Sequence, residues 1–104
     1  MRQVEINGIS LLNSHEKQIA DKLLKEYYPK MQRQIKNIIT LKIYIKEYKK
    51  EGKRKKYNID VEIKSSGKIF KANASDWDFS RTLHKVLNKI INEIEHKLYP
   101  SEQH

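Results

Sequence analysis

The residues with the clearest chemical potential are lysines and arginines that recur at helical spacing in two segments. Lys22 and Lys25 occur in the first segment, and Arg81, Lys85 and Lys89 occur in the second. Residues three or four positions apart share one face of an α-helix, so each set predicts a cationic ridge. Such ridges can neutralise RNA phosphates without reading bases. A solvated helix face is the simpler explanation for any single lysine, and it is the cluster that favours RNA.

A second basic candidate is the run KKEGKRKK at residues 49–56, in which six of the eight residues are Lys or Arg. The run has Gly52 near its middle and no apolar residue, which predicts an exposed hairpin tip. Repulsion between the cations predicts an open, mobile loop unless phosphate binds, although an ordinary soluble turn explains the run equally well. The candidate RNA-binding residues of this tip are Lys53, Arg54, Lys55 and Lys56.

Catalytic chemistry has little support in the residue pattern. Cysteine is absent, the four histidines lack metal-ligand spacing, and no glycine-rich loop could cradle a nucleotide. Asp76 and Asp78 could hold a metal in a nuclease, but two ligands are too few and helix capping explains one of them. Trp77 between them either covers the edge of the core or stacks on a base. We therefore expect no enzyme activity, no metal, no cofactor and no small-molecule substrate.

The charge balance indicates a polyanionic partner. Lys and Arg number 22 against 13 Asp and Glu, a net charge of +9. Release of counterions from a phosphate backbone would drive association with such a surface. A proteome rich in lysine would produce the same balance without any such partner.

Composition also limits the compartment and the architecture. A hydrophobic fraction of 38% in 104 residues predicts one thin core in one domain. Without cysteine, a reducing compartment is expected. No apolar run approaches the roughly 20 residues needed to span a bilayer, and the first ten residues lack the apolar block of a signal peptide. The prediction is a soluble, monomeric cytoplasmic protein with no membrane partner.

Two segments predict amphipathic helices. The longer runs from Ser75 to Tyr99, with Ser75 able to cap its first turn. Its apolar residues recur at steps of three and four: Phe79, Leu83, Val86, Leu87, Ile90, Ile91, Ile94 and Leu98. The other helix begins after a cap at Asn13 or Ser14, and Pro29 should end or kink it near Tyr28.

Four further segments alternate between apolar and polar residues, which is typical of half-buried strands. They occupy residues 3–9, 39–46, 57–64 and 70–74. The order β-α-β-β-β-α predicts an α+β fold, a four-stranded sheet with two helices packed on one face, as in double-stranded RNA-binding (dsRBD-like) domains. Residues 1–100 should form a single RNA- or ribosome-binding domain, and residues 101–104 a frayed tail.

Three stretches resemble one known family. The most specific is VEIKSSGKIFKANASDWDFSRTLHKVLNKI, in which a glycine turn, an alternating apolar strand and an Asp-initiated helix follow one another. ADKLLKEYY, with Lys22 and Lys25, is similar to the family's first helix, and EING to the end of its first strand. The chain resembles the ribosome hibernation-promoting factors, also called ribosome-associated inhibitor or protein Y, in the short form without a C-terminal dimerisation domain.

The resemblance implies a partner and a mechanism. A member of this family would bind structured rRNA in the decoding channel of the small ribosomal subunit. It would occlude mRNA and tRNA there and hold idle ribosomes inactive during stress.

Other functions remain open from the residues alone. A general double-stranded RNA-binding domain would bind naked duplex as well as ribosomes. A regulatory module could direct the same basic surface at an acidic protein, and a small nuclease would cleave RNA with a divalent metal.

Overall fold

The structure, a computed structural model, describes residues 4–35, 37–52 and 54–98. Its elements are β1 (Val4–Asn7), a 3-10 turn (Ile9–Leu11), α1 (Ser14–Gln34), β2 (Ile38–Glu51), β3 (Arg54–Ser65), β4 (Lys68–Asp76) and α2 (Phe79–Leu98). The predicted α+β order is confirmed. The boundary at residue 100 and the frayed tail at 101–104 lie outside the described residues.

The four strands form one sheet in the order β1-β2-β3-β4. β2, β3 and β4 are antiparallel neighbours, as the short turns between them predict, whereas β1 pairs with β2 in parallel. The parallel pair arises because α1 carries the chain back across the sheet between the two strands. β1 is followed by Gly8, whose φ of 91° and close approach to the Ile45 carbonyl leave no room for a Cβ.

Both helices pack on the same face of the sheet. Leu41, Ile43, Ile59, Val61 and Ile63 of the central strands are at most 1% exposed and belong to the same buried cluster as the helix residues. The buried residues of α2 are Phe79, Thr82, Leu83, Val86, Leu87, Ile90 and Ile94. The apolar face of the strands and the apolar stripes of the helices are therefore buried in one core, as predicted.

α1 is capped by Asn13, whose side chain accepts the Glu16 N–H at 2.8 Å while Glu16 accepts the Asn13 N–H at 3.0 Å. The helix continues through Pro29 to Gln34, so of the two predicted alternatives, an end or a kink near Tyr28, the end is excluded. A proline in a helix interior costs about 3 kcal/mol. Burial of Met31, which is fully enclosed in the core beyond the proline, offsets that cost.

α2 begins later than predicted. Ser75 is not its cap, because β4 pairs with β3 as far as Asp76 opposite Tyr57. Asp78 caps the helix instead, its carboxylate accepting the Arg81 N–H at 2.8 Å. Ser75 accepts a hydrogen bond from the Asn58 amide at 2.6 Å across the sheet.

The open loop predicted for residues 49–56 is wrong in the described residues. The β2–β3 ladder continues to the pair Glu51 and Arg54, on either side of Gly52 with its φ of 61°. Backbone pairing therefore organises this basic segment as the end of a long hairpin. Lys53, one of the candidate residues, lies outside the described residues.

Candidate nucleic-acid interface

The two helices lie side by side over the sheet. The Tyr27 hydroxyl donates to Asn88 at 3.3 Å and lies 3.4 Å from Nδ1 of His84. Further along both helices, the Gln34 amide donates to Glu95 at 3.5 Å. The contacts advance in the same direction on α1 and α2, so the helices run parallel.

This register places the predicted cations of the two helices at similar levels. Lys22 and Lys25 precede Tyr27 on α1, and Arg81 and Lys85 flank His84 on α2. All four side chains are exposed on the helix layer. We define these four residues together with Lys89 as the helix surface. Its members are exposed cations on two adjacent helices.

Acidic neighbours neutralise part of the helix surface, which the sequence reasoning missed. Asp76 lies 2.7 Å from Lys85 and 3.7 Å from Arg81, and Asp21 lies 3.0 Å from Lys25. Across the described ranges, Lys22 has no carboxylate or hydrogen-bond partner. Asp76 thus reaches two of the cations of the helix surface.

Lys89 has a role within the fold. β4 is an edge strand, and its outer carbonyls are open to pairing with another chain. Lys89 donates to the Asn73 carbonyl at 3.0 Å, and Lys97, eight residues on, donates to the Ile69 carbonyl at 2.9 Å. These two lysines cover part of the edge. Phosphate binding by Lys89 stays a prediction.

One cation of the helix layer was not among the candidates. Lys30 of α1 places its ammonium 4.7 Å from the centre of the Tyr27 ring, at the junction of the two helices. Its spacing of five from Lys25 and eight from Lys22 does not follow the simple i, i+3 rule. Because α1 continues through Pro29, Lys30 lies three residues beyond Tyr27 on the same helix.

The described cations of the basic hairpin lie near the start of α2. Arg54 and Lys56 stand 4.7 and 5.9 Å from the centre of the Trp77 ring, and Lys55 pairs with Glu47 at 3.2 Å. The sequence offered no sign that Trp77 and the hairpin would meet. The tip and the helix surface are thus joined through the segment that holds Asp76 and Trp77.

The ion pair between Asp76 and Lys85 can be tested through its dependence on pH. The Lys85 ammonium, and then the Trp77 N–H at 2.6 Å, lower the pKa of the Asp76 carboxyl. A carboxylate with a lowered folded-state pKa stabilises the fold above its unfolded pKa of about 3.9. That contribution is lost as the pH falls through the folded-state pKa.

We therefore expect Asp76→Asn to lower the thermal midpoint at pH 7, with the difference from wild type shrinking below about pH 4. The measurement is thermal unfolding by circular dichroism from pH 7 to pH 2. Asp21→Asn is the matched control, because its pair with Lys25 is open to solvent and should contribute little. A constant difference at every pH would show that the effect of Asp76→Asn is not electrostatic.

The same fold occurs in solved structures of other proteins. A ribosomal subunit interface protein from Coxiella burnetii is similar to this chain with a TM-score of 0.59 and 18% identity, covering 92% of this chain and 94% of its own. The N-terminal domain of protein Y from Thermus thermophilus has a TM-score of 0.54 and 11% identity, covering 90% and 94%. At these identities the likeness establishes the fold, and at that level the resemblance seen in the sequence is confirmed.

Comparison by sequence adds nothing further, since no family model and no curated protein matches the chain. In the part of the chain that the structure describes, no helix is long and apolar enough to cross a membrane. No group of three or more His, Cys, Asp or Glu side chains in that part could hold a metal ion.

Proposed function

We propose that this protein is a ribosome-binding translation inhibitor of the hibernation-promoting type. It acts in the cytoplasm as a monomer, without catalysis or cofactor. The helix surface binds rRNA in the decoding channel of the small subunit, and the domain then blocks mRNA and tRNA by occupying their space. The observation that carries this proposal is the set of exposed cations on two parallel helices, in a fold shared with a ribosomal subunit interface protein and with protein Y.

The acidic partners of the helix surface are compatible with RNA binding. The Lys25 pair with Asp21 is exposed on both sides, and such pairs contribute only about 0–1 kcal/mol. A phosphate can replace Asp21 at little cost. Asp76 is largely covered, with 13% of its side chain exposed, and it holds the Lys85 and Arg81 side chains in place on the surface. RNA would then meet positioned cations and lose less side-chain entropy on binding.

The proposed function is tested by sucrose-gradient sedimentation of stationary-phase lysate, with the protein detected by antibody across the fractions. We expect it in the small-subunit and intact-ribosome fractions, and we expect an excess of mRNA and tRNA to displace it from purified small subunits. A protein that stays at the top of the gradient contradicts the proposal.

The same preparation separates the alternatives. A general double-stranded RNA-binding domain would bind naked duplex as tightly as the subunit. A module for an acidic protein would retain its partner after nuclease treatment. Binding only to the small subunit, lost when its RNA is digested, supports the proposed function over both.

A further inference from the structure

A cleft of about 590 Å³ lies at one end of the sheet, between the hairpin and the starts of both helices. Trp77, Tyr57, Arg54 and Lys55 line it. We propose that this cleft binds an unpaired nucleotide of RNA, with the Trp77 ring stacking on the base and Arg54 contacting the phosphate. Its volume falls within the range of about 300–1,000 Å³ that is usual for small-ligand sites.

The first support is the pairing of an aromatic ring with cations at the cleft. Trp77 is only half-buried, although tryptophan gains most from burial. Arg54 and Lys56 both lie within 6 Å of its ring centre. Single-stranded nucleic acid is bound by this combination, in which bases stack on aromatic rings and cations follow the backbone.

The second support is the ion pairing of the hairpin cations among the side chains that the structure describes. Lys55 is engaged by Glu47 at 3.2 Å. Arg54 and Lys56, in contrast, have no carboxylate within 4 Å among the side chains that the structure describes. Arg54 lines the cleft itself, and Lys56 lies beside the Trp77 ring.

The carboxylates of the cleft are already committed to other groups. Glu16 accepts the Asn13 N–H at 3.0 Å with one oxygen and the Tyr57 hydroxyl at 2.9 Å with the other. Asp78 accepts the Arg81 N–H at 2.8 Å. Both negative charges therefore face the positive ends of helices, which limits their repulsion of a phosphate.

Tyr57 is held as a fixed wall of the cleft. Burial, and then the hydrogen bond to Glu16, raises the pKa of its hydroxyl to about 12. The hydroxyl keeps its proton at physiological pH and continues to donate to Glu16. Its ring also packs edge-on against Phe79, with 5.7 Å between the ring centres. Because Tyr57 is fixed at both its hydroxyl and its ring, Trp77 and Arg54 are the groups that can adjust to a base.

The cleft is separate from the helix surface and adjoins it at Asp76, the residue before Trp77. The choice of RNA among base-containing ligands rests on the function proposed above. An unpaired nucleotide next to a structured RNA would reach the cleft while the helix surface contacts the phosphates beside it. The cleft can be tested without ribosomes, so failure at one site does not imply failure at the other.

Trp77 is the sole tryptophan of the sequence, so its fluorescence reports this cleft directly. The full chain is titrated with single-stranded hexa-adenylate RNA, and we expect saturable quenching. Arg54→Gln should weaken binding roughly 10- to 150-fold, the range for loss of one hydrogen bond to a charged group. Lys64→Gln, at the other end of the same strand, removes the same charge and should bind as wild type. RNA binding by two Trp77 variants is measured by the anisotropy of labelled RNA. Trp77→Phe should bind about as tightly as wild type. Trp77→Ala should bind more weakly, to an extent similar to Arg54→Gln.

The outcomes separate the possible ligands. Quenching by hexa-adenylate with weak binding of adenosine monophosphate supports the proposal. Equal binding of the monophosphate assigns the cleft to free nucleotides and overturns it. Equal effects of Arg54→Gln and Lys64→Gln, or quenching by inorganic polyphosphate alone, also overturn it, because both indicate charge without base recognition. Normal quenching by a protein that fails to bind ribosomes would retain the cleft and remove only the proposed function.

Discussion

Neutralising the helix surface should lower affinity for the small ribosomal subunit by roughly 10³-fold at physiological salt. The variant replaces five cations by glutamine: Lys22→Gln, Lys25→Gln, Arg81→Gln, Lys85→Gln and Lys89→Gln. Each lost phosphate contact should also reduce the slope of log affinity against log salt by about one. Filter binding or co-sedimentation over a range of salt concentrations measures both quantities.

Glutamine is used because charge reversal would disturb the fold. Lys85 lies 2.7 Å from Asp76, so a glutamate there would place two carboxylates together. Lys89 covers the Asn73 carbonyl of the edge strand, and a glutamate could not donate to it. The neutral variant removes the charge and keeps a slightly shorter polar side chain that can still donate a hydrogen bond.

A second variant controls for net charge. It replaces five lysines of the sheet by glutamine: Lys42, Lys46, Lys64, Lys68 and Lys71. Both variants lose five positive charges, but the outer face of the sheet already holds Glu62 and Asp60 opposite Lys42 and Tyr44. We expect the sheet variant to retain most of its affinity. Equal losses in the two variants would mean that overall charge, and not the helix surface, attracts the ribosome.

Phe70→Ala should destabilise the protein by about 3–5 kcal/mol, a large part of the 5–15 kcal/mol typical of a whole domain. Phe70 is fully buried in β4, beneath α2. Removing its ring leaves a cavity between the sheet and the helix that the surrounding side chains fill only in part. The thermal midpoint should fall by roughly 15 °C or more, as measured by calorimetry or circular dichroism.

Ile69→Ala, one residue away, is the matched control. Ile69 faces the opposite side of the sheet and is 45% exposed. Its backbone carbonyl keeps the hydrogen bond from Lys97, so the substitution should cost about 1 kcal/mol or less. Similar losses at the two positions would contradict a sheet with one buried and one solvated face.

Local residue patterns were sufficient to predict the helices and strands and their arrangement in layers. The alternation at Leu41, Ile43 and Ile45 defines a strand with one apolar face, and the steps of three and four from Leu83 to Ile94 define one helix stripe. Both periods are properties of neighbouring residues, so they can be read without knowledge of the rest of the chain. Since both helix stripes and the strand faces are apolar, they can be buried only against each other.

The details of the candidate site depend on how strands that are distant in sequence pair with each other. The start of α2 moved from Ser75 because β4 pairs with β3 through Asp76. The same pairing brings Asp76 to Lys85, and it brings Arg54 over Trp77, 23 positions along the chain. Repulsion among the hairpin cations predicted an open loop, yet backbone hydrogen bonds extend the ladder to Arg54. The number of cations follows directly from the sequence. Which of them are paired depends on where the folded strands place the carboxylates, because charge interactions weaken steeply with distance and exposure.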